Sequence, residues 1–436
     1  MKIAIVGAGI SGLAVGYWLQ RENYEIVVYE TSSVPGGRTR TERRPNSEDI
    51  VDVGTQYFHS NYKRTLSLVR EFGLEAEIQK VRGKTRFFDD RVNTGSFVTG
   101  HRVPYISAGS FWDNLKMSMS GLWMLLKHPI DPYAVLKTPK IDSLCAGKVI
   151  KNQFDWEFNV RALMTAGALI EPDPKDVSLL HVIRLMRIIV MTDYLTLNGG
   201  LSTLHEKMAR QLNVEYNTRV AGILESNQKV VGLKLESGEI IDADKVVIAT
   251  PPSSAADLLP ADWSDEKSFL TQIEHPSAII VTLFLTQPLE NDVWSYVFRP
   301  SERNLVSFCV DASNKNSNMV PSGKAALQAW ICHPASQQAF NQTDQQLVQS
   351  VIKELSKELV DIGQAVESSH VHRVSNAIPQ MSIGHNKRTN TFLELMDRRS
   401  GVELCGDYFS GGYVECALWS VERAVNNIKR SNLAKS

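Results

Sequence analysis

Two rhythms of apolar residues run through the chain: short unbroken runs, and stripes spaced three or four apart. Lys2–Val6 and Ile26–Tyr29 are runs of buried-strand type, and Leu13–Gln20 between them reads as a helix. Asn61–Phe72 has the spacing of an amphipathic helix and closes on Gly73. Val214–Tyr216 and Arg219–Ile223 read as strands, and Val230–Leu235 with Glu239–Ile241 as a hairpin turning at Ser237-Gly238. A further buried strand starts at Asp244 and is stopped by Pro251 and Pro252. The alternating segments Ala278–Leu285, Ser295–Phe298, Leu305–Val310 and Ala326–Ile331 predict an antiparallel sheet with one buried face. Leu347, Val351, Leu355 and Leu359 mark a helix capped by Thr343 or Asp344. A strand near Val402 and a helix reaching about Ile428 close the chain.

Between about residues 80 and 195 the pattern is irregular and richer in Trp, Met and Phe. Phe111–Lys127 and Leu179–Met191 are its strongest helix candidates. The first reads as a core helix of an inserted domain, with a peripheral membrane contact as the other reading.

At 436 residues the chain is too long for one hydrophobic core, and two domains are expected. A net charge of −1 without a basic run excludes an electrostatic nucleic-acid binder. The Arg38–Arg44 cluster reads as a solvated loop with one phosphate-facing arginine. Five scattered cysteines, with no C-x-x-C pair, point to free thiols in a reducing, cytoplasmic compartment and to no metal site. No apolar run is long enough to predict a transmembrane segment.

The first forty residues change the picture from fold to chemistry. Gly7-Ala8-Gly9-Ile10-Ser11-Gly12 follows the first strand without a gap and opens the helix. A G-x-G-x-x-G run carries meaning in that strand–turn–helix context. Gly7 permits the tight turn, Gly9 lets backbone approach a pyrophosphate, and Gly12 lets helix pack on strand. The helix start, at Ile10 and Ser11, offers unpaired N–H groups to phosphates. Glu30 lies 18 residues beyond Gly12, where a carboxylate accepts from both ribose hydroxyls and repels a 2′-phosphate. An adenosine dinucleotide other than NADP is the implied ligand, and the glycine motif does not choose between NAD and FAD.

Pro35-Gly36-Gly37-Arg38, then Asp52-x-Gly54-Thr55-Gln56-Tyr57, follow in order. The chain closes with Gly406-Asp407 and Gly411-Gly412-Tyr413-Val414-Glu415-Cys416-Ala417. With these segments it resembles the flavin-containing amine oxidase superfamily, which includes monoamine oxidases, protoporphyrinogen oxidases and phytoene-type desaturases. The resemblance implies non-covalent FAD. It assigns Glu30 and Thr31 to the ribose side, Gly37 and Arg38 to the diphosphate, and Gly54, Thr55, Gln56 and Tyr57 to the flavin ring. It assigns Val220 to the adenine, adds Thr250 of the A-T-P-P ending, and gives Gly406 and Asp407 to the ribityl or phosphate region. Gly412, Tyr413 and Val414 fall beside the flavin edge. Tyr413, Tyr57 and His59 are the candidates for contact with flavin or substrate. The attachment cysteine of monoamine oxidases is missing. So is their lysine, since Ile280 stands near its place on Ser277–Thr282, and Ala377–Gln380 lacks the second aromatic of an amine cage.

The fold class implied is α/β: a discontinuous Rossmann-like FAD-binding domain with an inserted α+β substrate-binding domain. The domains divide as 1–79, 196–260 and 396–436 for the cofactor, and 80–195 and 261–395 for the substrate. The expected activity is FAD-dependent hydride removal from a C–N or C–C bond of an apolar or cyclic small molecule, with dioxygen or a quinone as electron acceptor. An amine oxidase proper, a redox-neutral isomerase or mutase, and a flavoprotein fold kept as a binding partner are the alternatives.

Overall fold

The computed structural model describes residues 1–44, 47–88, 96–98, 105–107, 109–137, 140–170, 172–173, 175–226, 229–290, 292–298, 305–359 and 362–433. Its first layer is a five-stranded parallel sheet. In spatial order the strands are Asn213–Glu215, Glu25–Tyr29, Lys2–Val6, Lys245–Ile248 and Val402–Leu404. Ile3 sits between Ile26 and Lys245 in register. Strands buried on both sides need unbroken apolar sequence, which is why these short runs are legible. The helices Ile10–Gln20 and Val414–Leu433 cover one face, with Leu13, Val15, Leu418 and Val421 in one core with Ile3 and Ile5. On the other face, a three-stranded antiparallel sheet (Val220–Ser226, Lys229–Leu235, Ile240–Asp242) and the helix Pro252–Leu258 pack on Ala4, Val6, Val246 and Ile248. The prolines at 251–252 do more than end a strand, because Pro252 occupies the first turn of that helix, where a missing N–H costs nothing.

Strand order reverses direction between Lys2–Val6 and Lys245–Ile248, the switch point where open α/β sheets receive ligands. The Gly7 turn lies there. At φ +102° it is in a region that side chains avoid, and a Cβ on it would stand 3.0 Å from the Ala249 carbonyl oxygen.

A seven-stranded sheet forms the second body, in the order Val366–Val374, Ala278–Leu285, Ala325–Ile331, Phe308–Asp311, Val293–Phe298, Lys84–Phe88, Ser96–Val98. The four expected segments pair antiparallel, as the alternation predicts, but the single buried face is corrected, because every residue of Ala278–Leu285 and Ala325–Ile331 is buried. Lys84–Phe88, outside that pattern, adds a parallel pairing with Val293–Phe298. Alternation is still there, but it divides two apolar environments. Ile279, Val281 and Leu283 face the Asp344–Leu355 helix, while Ala278, Ile280 and Phe284 join Val51 and Val53 on the opposite side. That helix is capped by Thr343, whose hydroxyl accepts from the Gln346 N–H at 3.3 Å while Gln346 returns a bond to the Thr343 N–H at 2.9 Å.

A helical layer (Phe111–Lys127, Gln153–Trp156, Ala162–Ala168, Leu179–Ile189) completes the molecule. A five-residue π turn, Glu157–Arg161, leads into Ala162–Ala168. Reading Phe111–Lys127 as a core helix is corrected, because among its residues only Asn114, Met117 and Met124 are buried. The helix His385–Met396, which the apolar pattern does not show, packs Phe392 on Phe269 at 4.3 Å between ring centroids.

Candidate functional site

A cavity of about 820 Å³ runs from the switch point of the parallel sheet to the face of the seven-stranded sheet. At its first end the helix Ile10–Gln20 begins without a capping side chain and without an acid in its first turn, so its leading N–H groups have no partner of that kind. A Cβ on Gly9 would meet nothing within 4 Å, which opens this backbone to a ligand. One on Gly12 would stand 1.8 Å from the Gly7 carbonyl oxygen, so Gly12 serves the packing of helix on turn. Glu30 is held by three donors: the Ala8 N–H at 2.7 Å, the Ser32 N–H at 2.8 Å and the Thr31 hydroxyl at 3.2 Å. Its carboxylate is thereby fixed in the wall before any ligand arrives.

Midway, the two ends of the chain meet. Arg38 makes a two-pronged ion pair with Asp407, at 2.7 and 2.8 Å, and donates to the Ala377 carbonyl at 2.9 Å. A planar guanidinium suits this fork, which fixes the Gly37-Arg38 turn against the Gly406-Asp407 turn. Burial, with Arg38 alongside, pushes the neighbouring His275 down to about 4, so it stays neutral at pH 7. Gly54 allows a close crossing, since a Cβ there would lie 2.0 Å from the Arg38 carbonyl oxygen. Gln56 donates to the Asp52 and Gly54 carbonyls at 2.7 and 3.1 Å, and its own carbonyl accepts from Lys315 at 2.9 Å.

The far end is aromatic. Tyr57 stacks on Tyr194 at 4.4 Å and meets Trp294 edge-on at 5.7 Å. Phe308 stacks on Trp330 at 5.3 Å. Ala166, Gly167 and Leu169, just past the π turn, close the opposite wall. Burial raises the Tyr57 phenol to about 12 and the Tyr413 phenol well above its ordinary value, so both remain neutral donors. The Tyr413 hydroxyl and the Thr250 hydroxyl are buried in this wall with no hydrogen-bond partner. His59 Nδ1 lies 3.0 Å from the Thr192 hydroxyl, which itself donates to the Ile188 and Ile189 carbonyls. That hydroxyl, already donating to a carbonyl, is placed to accept from the His59 ring and so orients it.

All the site residues assigned from the sequence line this one cavity except Gly12, which lies beneath its floor. An uncapped helix start, a fixed carboxylate, glycines where backbone must come close and two unpaired buried hydroxyls fit a dinucleotide that carries a flat ring. Three features escape the sequence reading. Trp294, Phe308 and Trp330 come from strands whose alternation was legible but whose facing was not. A buried lysine exists, but it is Lys315, on the short helix Ala312–Lys315, paired with Asp52 at 2.8 Å behind the wall. Asp52 itself is not in the wall, because it accepts from Thr41 at 2.6 Å and from the Leu201 N–H at 3.0 Å. Among the described residues, Glu42, His370 and His372 place ligand atoms within 4.8 Å of one another, but Arg40 already pairs with that glutamate at 3.1 Å.

A family model described as flavin containing amine oxidoreductase matches residues 10–429. Coproporphyrinogen III oxidase of Bacillus subtilis (strain 168) is 24% identical over 460 residues, covering 95% of each chain. Protoporphyrinogen oxidase of Homo sapiens is 27% identical, covering 64% of this chain and 66% of its own. Among solved structures, cyclohexylamine oxidase from Brevibacterium oxydans IH-35A superposes with a TM-score of 0.76 at 17% identity, over 99% of both chains.

Proposed function

This chain belongs to the flavin containing amine oxidoreductase family, and from that premise we propose an FAD-dependent oxidase or desaturase of an apolar, cyclic small molecule, on the porphyrinogen-oxidising side of the family rather than the amine side. The observation that carries this reading is the aromatic end of the cavity. Tyr57, Trp294, Phe308, Trp330, Ile378 and Tyr413 face it, and no carboxylate among the described residues lies there to receive an ammonium group. Desolvating a charged amine in such a wall without a partner is costly, whereas an apolar ring system gains about 25 cal/mol per Å² buried.

Bound flavin supplies the hydride acceptor. The Ile10 and Ser11 turn, Glu30 and the Arg38–Asp407 clamp would hold it. The Val414–Leu433 helix brings its positive end to the wall at Val414, which favours negative charge there by about 0.3–1 kcal/mol. His59, whose ring Thr192 orients, would take up the proton released as the substrate is oxidised. The aromatic wall would limit water at that exchange. The cofactor would be held non-covalently: none of the five cysteines lines the cavity, and all are buried. Such thiols suit a reducing, cytoplasmic compartment. Segments 1–79, 196–260 and 396–436 form the cofactor domain, and 80–195 with 261–395 the substrate domain. Dioxygen or a quinone would serve as the electron acceptor.

Anaerobic mixing tests the reading. Porphyrinogens and other reduced cyclic substrates are expected to bleach the flavin band in a single turnover, and primary amines to leave it oxidised. Bleaching by amines alone would make the protein an amine oxidase, and turnover by pre-reduced enzyme without net electron transfer would make it an isomerase. Either result overturns the proposal.

A further inference from the structure

The helix Phe111–Lys127 exposes the wrong residues for a solvated surface. Phe111, Trp112, Met119, Leu122, Trp123 and Leu126 are 52–72% exposed, and Leu115 among them is 36% exposed. At 100° per residue these positions fall in one stripe about 120° wide, with no polar residue inside it. The opposite side is held by the protein. Asn114 bonds the Ile106 N–H and carbonyl at 2.8 and 3.0 Å, Met117 and Met124 are buried, and Arg187 donates to the His128 carbonyl at 3.0 Å. An apolar stripe of this size marks an interaction surface.

We propose that this helix lies in the plane of a phospholipid bilayer, with its exposed stripe sunk to the boundary of headgroups and acyl chains, and that anionic lipid is preferred. Charge selects that occupant. From residue 111 to 151 there are six lysines and three aspartates, against a whole chain whose net charge is −1. All six lysines (Lys116, Lys127, Lys137, Lys140, Lys148 and Lys151) are exposed. Asp142 is buried and accepts from the Asn386 and Lys387 N–H groups, and Asp113 is engaged in the Ser110 capping box. Lys116 and Lys127 border the stripe, and the Lys127 ammonium lies 4.3 Å from the Trp123 ring centroid, an apolar stem beneath a charged head. Two copies of this face set against each other would bring like charges together, whereas a negatively charged lipid surface would neutralise them. The helix cannot be a span: no helix among the described residues is long and apolar enough to cross a membrane, and this one has a face bound to the protein body. An amphipathic in-plane helix is the geometry that remains.

Co-sedimentation of the flavin-loaded protein with vesicles tests this. Wild type is expected to pellet with phosphatidylcholine vesicles containing roughly a quarter phosphatidylglycerol, and less completely with phosphatidylcholine alone. L122E/L126E should lower the lipid-bound fraction by about tenfold at fixed lipid, with flavin content and circular dichroism unchanged, because both side chains are exposed. The uncharged pair M119S/W123Q should act in the same direction, and K116E/K127E should remove the preference for anionic vesicles. Wild type that stays in the supernatant, or L122E/L126E that binds as wild type does, overturns the proposal. So does a lipid-free dimer that L122E/L126E converts to monomer, since the face would then belong to a second copy.

Discussion

Glu30 is held in the cavity wall by protein donors alone, taking N–H bonds from Ala8 and Ser32 at 2.7 and 2.8 Å. Its position is thus preorganised, and a hydrogen bond to a charged group contributes about 1.5–3 kcal/mol. Glu30→Ala should weaken flavin binding by roughly 10- to 150-fold, read as loss of yellow colour through purification and by titration of apoprotein with FAD. Glu30→Ala protein that purifies fully loaded would remove this carboxylate from the cofactor site. Arg38 and Asp407 show what residue-level reading misses. Each stands out in its own motif, yet they lie 369 positions apart in the chain and no local spacing announces their mutual fork.

At the scale of elements, the Asp52 strand and the Ala312–Lys315 helix are joined by a fully buried ion pair. Its cost in desolvation is offset by the bonds around it: Lys315 to Gln56, and Thr41 and the Leu201 N–H to Asp52. Removing one partner strands the other charge. Lys315→Met should therefore destabilise the fold by about 3–5 kcal/mol in urea unfolding, and adding Asp52→Asn should recover part of the loss. A double variant no better than the single would show that packing, not charge, holds the two elements together. Gln56 sits in the cavity wall, so this pair also sets that part of the wall. The same scale explains the unseen helix His385–Met396. Its buried residues are His385, Asn386, Thr389, Phe392 and Met396, and three of the five are polar. His385 Nε2 meets the Tyr408 carbonyl at 2.8 Å, a tertiary bond that makes a polar residue an interior one.

Over the whole molecule, buried neutral histidines govern behaviour in acid. Burial, the largest cause in each case, lowers His181 to about 3 and His205 and His385 to about 4. Their unfolded counterparts titrate near 6.5. The unfolded chain therefore binds more protons below that pH, so stability is complete above about 6.5 and is lost as pH falls toward 4. His205 is the cleanest probe, since its Nδ1 meets the Leu201 carbonyl at 3.1 Å while its Nε2 has no hydrogen-bond partner. His205→Gln should flatten the dependence of unfolding free energy on pH by about 1.4 kcal/mol per unit between pH 6 and pH 5 (both roughly placed), measured by urea titration. An unchanged slope would mean that His205 does not carry its share.

The amino acids alone determined the parallel sheet, the glycine turn with its acid, and the residues gathered around the cavity. Those signals are local: a strand buried on both faces is apolar without interruption, and a backbone that must nearly touch its ligand or its neighbour needs glycine. Tertiary packing decided which face of each strand in the seven-stranded sheet looks into the cavity, because both faces are apolar and period two cannot rank them. It also placed Lys315 behind the wall, and turned the apolar stripe of Phe111–Lys127 outward. In each case the outcome depends on what distant segments bring alongside, and that is absent from any window of the chain.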